Sequence, residues 1–220
     1  MTAENLNTTS NVILPEISSD LGKTIRIIIE AIQAACTPFK KASTQSNLRI
    51  PLNENKLTQI LVEQIEVKIK SQPAIGVKNQ YSDIFLGTKG IPDFYFHTVE
   101  EGATHEPLFV VESKRLPSPT FEREYVIGQT KNGGIERFKM EKHGKGLSQC
   151  GIVGFIENFT CDYWLQTINK WIIDLSRIDN NWSPDEILVE SSSYDNCCYS
   201  ISKAKRLSSE PVLLHHILIS

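Results

Sequence analysis

Apolar residues recur along the chain at two periods, and each change of period marks a change of element. Over residues 21–36 they fall at 21, 25, 28, 29, 32 and 35, which is helical spacing, with Asp20 as a cap and Pro38 expected to end the helix. A polar link leads to a second helical pattern over 53–70, with Asn53 as its N-cap and a stripe of Leu57, Ile60, Leu61, Ile65 and Ile69. Residues 75–86 read as a first strand feeding a Gly-Thr-Lys-Gly turn. A long helical stretch is expected over 121–143, where Gly133-Gly134 either splits it or marks a close backbone approach. The continuous apolar run 151–157 reads as a buried strand and 161–178 as a helix with a wide Trp- and Ile-rich face. Strand-like runs follow at 187–191, 198–201 and 212–219. This alternation predicts an α/β protein, a central mixed sheet flanked by helices.

The most informative stretch is GIPDFYFHTVEEGATHEPLFVVESKRLP, residues 90–117. Its two apolar runs, 92–98 and 107–114, flank a polar insert centred on Gly102, the pattern of a strand, a loop and a returning strand. A register that pairs Thr98 with Pro107 puts Asp93 opposite Glu112. Cross-strand partners share a face at roughly 5 Å between Cβ atoms, and Lys114, two residues beyond Glu112, points the same way. Opposed carboxylates are destabilising without a compensating cation. Mg²⁺ takes one or two carboxylates and completes its octahedron with water and phosphate oxygens. A nearby lysine stabilises developing charge or orients a water. That set suits phosphodiester hydrolysis; the plainer reading is a charged surface hairpin.

Pro92-Asp93 followed by Glu112-Ser113-Lys114 at the end of an apolar strand resembles the signature of the PD-(D/E)XK nuclease superfamily. The resemblance covers about residues 53–157, within a single domain expected over 21–220 behind a flexible N-terminus, 1–20. It implies a restriction-endonuclease-like core and a metal-dependent endonuclease hydrolysing DNA, of the kind that serves restriction, anti-phage defence or repair. By that resemblance Asp93, Glu112 and the Ser113 carbonyl hold Mg²⁺, or Mn²⁺ in its place. Lys114 positions the attacking water or stabilises charge. A further acid comes from the preceding helix, Glu54 in preference to Glu63, although the helix dipole alone would favour a glutamate at Glu54. Gln129, or Lys131, matches the residue that many members aim at the centre from the helix after the E-x-K strand. A homodimer or a partner subunit is a further expectation. The rivals are a catalytically silent nucleic-acid-binding or scaffold protein on the same fold, and a subunit active only with a partner.

Composition limits these readings without choosing among them. At 220 residues and 40% hydrophobic, the chain can build one sizeable core. Its net charge of −3 offers no global basic field for nucleic acid. A local basic stretch does exist, and there Lys131, Arg137, Lys139 and Lys142 are the expected phosphate contacts. No run approaches the ~20 apolar residues of a membrane span, and the N-terminus lacks the pattern of a signal peptide, so a cytoplasmic location is expected. Five cysteines with no C-x-x-C pair suggest neither a zinc ribbon nor a disulfide framework. His215 and His216 should point to opposite faces of the last strand.

Overall fold

The computed structural model describes residues 20–45, 51–82, 85–88, 90–194 and 196–220; the expected flexible segment, but for Asp20, lies outside them. Helix α1 spans Asp20–Ser43 and α2 spans Glu54–Ile69. Strands β1 (Ile75–Asn79), β2 (Phe94–Thr98) and β3 (Pro107–Leu116) follow. After them come α3 (Gly134–Lys139), β4 (Gln149–Ile156) and α4 (Cys161–Ser176). A 3₁₀ turn at Pro184–Glu186 leads into β5 (Val189–Tyr194), β6 (Cys197–Ala204) and β7 (Val212–Ile219).

The strands form one seven-stranded mixed sheet in the order β1-β2-β3-β4-β7-β6-β5. Its centre, β3-β4-β7, is parallel and the pairs on either side are antiparallel. Central parallel strands are covered on both faces, hence the near-continuous apolar sequences of β4 and β7. Alternation then sorts the side chains. Val153, Phe155, Ile217 and Ile219 pack under α1 and α2, whereas Cys150, Ile152, Leu214 and Leu218 pack under α4 and the segment around Tyr125. Among the described residues no helix is long and apolar enough to cross a membrane.

Several expectations change. Helix α1 runs through Pro38 to Ser43. Proline removes one helical hydrogen bond, but the carbonyl it orphans belongs to Ala34, which is exposed to water, and continuing the helix buries Phe39 against Phe155 at 5.3 Å between ring centroids. Strand β1 stops at Asn79 because Gln80 turns into the left-handed region, φ 52°. The expected helix over 121–143 shrinks to α3. Ahead of it the chain makes turns through Gly128 and Gly133, whose amides both donate to the Glu136 carboxylate, at 3.1 and 3.3 Å. Cys161 and Cys198 form a disulfide between α4 and β6, a pairing across 37 residues that sequence spacing did not indicate.

His215 and His216 do point to opposite faces, each filled with partners. His215 bonds Tyr199 (2.7 Å) and Gln149 (2.8 Å); His216 bonds Tyr125 (3.0 Å) and Ser202 (2.8 Å).

Candidate active site

The β2–β3 pair has the expected register over Phe94–Phe96, where Phe94 faces Val111 and Phe96 faces Phe109. A bulge then sets His97 against Pro107, so Thr98 does not face Pro107. The bulge lies toward the hairpin loop. At the other end Asp93, just ahead of β2, remains beside the Glu112–Lys114 segment, and its Oδ2 accepts the Ser113 amide at 2.6 Å. The Asp93 carbonyl in turn accepts the Gln80 amide at 2.8 Å, which fixes its backbone.

Helix α2 brings in the third carboxylate. Asn53 caps it by accepting the Lys56 amide at 3.0 Å, leaving Glu54 in the first turn facing the end of β3. Glu54 Oε1 is 3.1 Å from Lys114 Nζ and Oε2 accepts the Arg115 amide at 3.2 Å. Glu63, the alternative, is exposed one face away and accepts from Gln59 at 3.1 Å.

Glu112 is wholly buried, against Lys114, Arg137 and His143. Its Oε1 lies 2.9 Å from Lys114 Nζ and 2.6 Å from Arg137 of α3. Its Oε2 lies 3.0 Å from His143 Nδ1, off the line of a hydrogen bond, so that contact is one of proximity only. His143 fits there because Gly90 passes over it: a Cβ on Gly90 would come within 2.0 Å of the Lys142 carbonyl and 2.3 Å of the His143 ring. Lys114 is also buried, and its third proton goes to the Ser113 carbonyl at 2.8 Å.

The charges push one another's protonation in opposite directions. Burial alone would raise the Glu112 pKa, but Lys114, His143 and Arg137 overcome it and hold the carboxyl down at about 2. Burial works against the Lys114 charge, yet Glu112, Glu54 and Asp93 outweigh it and raise its pKa. Asp93 goes the other way: burial first, then the Glu112 charge, push it up to about 7 despite Lys114. Glu54 is also raised, by burial, with Lys114 opposing. The cluster therefore holds more acid than its nearby cations comfortably neutralise.

Asp93, Glu112, Ser113, Lys114 and Glu54 thus come together, and Arg137 joins them by gripping Glu112. Gln129 does not; it lies exposed on a turn, because the helix expected to aim it is absent. Lys131 is exposed with a left-handed backbone, φ 57°, and its carbonyl accepts Lys142 Nζ at 2.6 Å. Lys139 corrects another expectation. It is buried, paired with Glu186 and 4.5 Å from the centroid of the Trp182 ring, so it faces the core and no phosphate reaches it. His143 is a member of the site that the sequence does not announce. It reaches Glu112 through a turn at Glu141, φ 54°, and no hydrophobic period signals such a turn.

Among the described residues no three or more His, Cys, Asp or Glu side chains already stand at metal-ligand spacing. No family model, curated protein or solved structure matches the chain.

Proposed function

We propose that the chain is a metal-dependent endonuclease of the PD-(D/E)XK class with a restriction-endonuclease-like core, hydrolysing phosphodiester bonds of DNA. The observation that carries this reading is the convergence of Glu54, Asp93, Glu112 and Lys114, drawn from three separate elements, on one buried end of the β2–β3 pair. Alignment on one face of a hairpin would be ordinary; recruiting a fourth charged residue from the start of α2 is harder to attribute to a surface hairpin.

The donor types, though not yet at metal-ligand spacing, are those a hard divalent cation takes. Asp93, Glu112 and Glu54 supply carboxylate oxygens, the Ser113 carbonyl is adjacent, and Asp93 is held up near 7 partly by the Glu112 charge, which a shared cation would relieve. Mg²⁺ held by these residues would polarise the scissile phosphate and lower the pKa of a water. Lys114, kept charged between Glu54 and Glu112, would donate to a phosphate oxygen or orient the nucleophile. Glu54 fixes that ammonium and, through the Arg115 amide, the end of β3. Exposed Lys131 and half-buried Lys142 remain as phosphate contacts.

One observation favours a second reading. Glu112 Oε1 is gripped by both Lys114 and Arg137 and His143 lies against Oε2, a closed arrangement suited to a chain that is silent alone and opened by a partner or by substrate. Mg²⁺-dependent nicking of supercoiled plasmid, wild type beside Asp93→Ala and Lys114→Ala, separates the two. Metal-dependent nicking lost in both variants supports the nuclease. A folded wild type that cuts nothing supports the silent or partner-dependent chain.

A further inference from the structure

A groove of about 200 Å³ opens beside Asp93, between the first two turns of α2 and the end of β1. Its walls are Asn55, Thr58, Gln59, Asn79 and Gln80, with Asp93 at the margin it shares with the candidate active site. Four of the five wall residues are carboxamides and the fifth is a hydroxyl. Among the described residues no cation lines the groove, so it does not suit a phosphate, and no hydrocarbon side chain lines it.

Two further observations mark it as more than a crease in the surface. Thr58 is 3% exposed and its Oγ1 has no hydrogen-bond partner among the described residues. A buried hydroxyl left unpaired destabilises the fold, and a valine of nearly the same shape would avoid that cost. Gln80 takes a left-handed backbone, φ 52°, that residues other than glycine, asparagine and aspartate seldom adopt, with its amide tied to the Asp93 carbonyl. Local strain and an unpaired donor beside the site are features that a bound group would put to use.

We propose that this groove is a subsite for the base of a nucleotide flanking the cut, read at its hydrogen-bonding edge by Asn55, Gln59, Asn79 and Gln80, with Thr58 buried beneath them. The inference rests on the nuclease reading and gives it a specificity. Carboxamides match adenine best, since one side chain donates to N7 and accepts from N6, and an unpaired base offers that edge freely. Adenine is therefore the preferred base beside the cut.

The test uses fluorescein-labelled oligo-dA and oligo-dT, anisotropy without metal, and mapping of cut positions in a mixed-sequence single strand with Mg²⁺. Wild type should bind oligo-dA more tightly than oligo-dT and cut preferentially beside adenine. Asn79→Ala, at an exposed position lining the groove, should weaken oligo-dA binding by about tenfold while leaving oligo-dT binding and the melting temperature unchanged; a purely structural asparagine would move the melting temperature instead. Asn55→Ala and Gln59→Ala, both at exposed positions and so safe for folding, should flatten the cut-site preference. Equal affinity of wild type for the two oligonucleotides, or variants that keep its affinities and cut positions, overturns the groove assignment while cleavage itself stands. A wild type that binds neither oligonucleotide and cuts nothing overturns the nuclease reading together with it.

Discussion

Asp93 Oδ2 accepts the Ser113 amide at 2.6 Å, so the carboxylate ahead of β2 is fastened to the residue between Glu112 and Lys114. The same fastening keeps Asp93 in a place where its charge is unwelcome. Its pKa is pushed up to about 7 by burial and by Glu112. Between about 4, where an unfolded aspartate ionises, and 7, the folded state holds a proton that the unfolded state has released. Stability therefore falls as pH rises through that window.

Asp93→Asn keeps an acceptor for the Ser113 amide and removes the charge. At pH 8 it should stabilise the chain, on the order of 2 kcal/mol after allowing for partial exposure, and abolish Mg²⁺-dependent nicking. The gain should shrink as pH falls toward 4. Thermal melts across that range check it; a variant that is destabilised at pH 8 would mean that the carboxylate is favourably paired after all.

Lys114 has the opposite character. Removing one partner from a buried pair leaves an uncompensated charge and costs about 3–5 kcal/mol, and here Glu54 would be left without its cation and Glu112 with Arg137 alone to compensate it. Lys114→Met should therefore lower the denaturation midpoint strongly, and Glu112→Gln added to it should restore part of the stability. A double-mutant cycle by urea unfolding measures that coupling. Loss of nicking in a Lys114 variant counts as chemistry only where circular dichroism shows it folded.

Glu54 and Glu63 differ in what they touch, not in what they are. Glu54→Gln should impair nicking and weaken the tie to Lys114, whereas Glu63→Ala, at an exposed position, should change stability by less than about 0.5 kcal/mol and leave nicking intact. Equal effects of the two on nicking would remove Glu54 from the centre.

The basic stretch divides in the same way. Deleting one phosphate-neutralising cation should lower the slope of log affinity against log salt by about 1. Lys131→Ala and Lys142→Ala should do so on DNA. Lys139→Ala should instead destabilise the chain, because it strands Glu186, and leave the salt slope unchanged. Fluorescence anisotropy over a salt series distinguishes the three.

The Asp93–Glu112–Lys114 grouping is legible in the sequence because it is local: a hairpin register and a period of two place those residues together, and the bulge at Phe96/His97 falls on the harmless side of them. The asparagine cap before Glu54 is legible for the same reason. The side chains that close around Glu112 are not. Arg137 and His143 reach it through turns at Gly128, Gly133 and Glu141, whose form depends on a carboxylate, Glu136, closing the loop from beyond. Lys139 illustrates the converse. In sequence it belongs to a basic cluster, and only the arrival of Glu186 and Trp182, more than forty residues later in the chain, makes it a core residue. Pro38 misleads because helix termination depends on what the next turn would bury, and Phe39 has a place waiting against Phe155.

The middle of the sheet carries a pH dependence of its own. His216 is wholly buried, hydrogen-bonded on both nitrogens to neutral hydroxyls, Tyr125 and Ser202, and burial pushes its pKa down to about 3. His215, between Tyr199 and Gln149, is held at about 4 by burial. An unfolded histidine takes up a proton near 6.5. Below that value the unfolded state therefore binds protons that the folded state refuses, and stability is lost as pH falls from about 6.5 toward 4 and 3. The loss at the acid end is on the order of 3 kcal/mol per histidine. Asp93 acts in the opposite sense between 4 and 7, so the wild-type profile alone would blend the two. A His216→Asn variant isolates the histidine contribution. It should be less stable than wild type at pH 7, where a buried hydrogen-bonded ring is lost, and the gap should narrow steadily toward pH 4. A gap that stays constant over that range would mean that the ring takes up its proton in the folded state, through water that reaches the Ser202 side of the sheet.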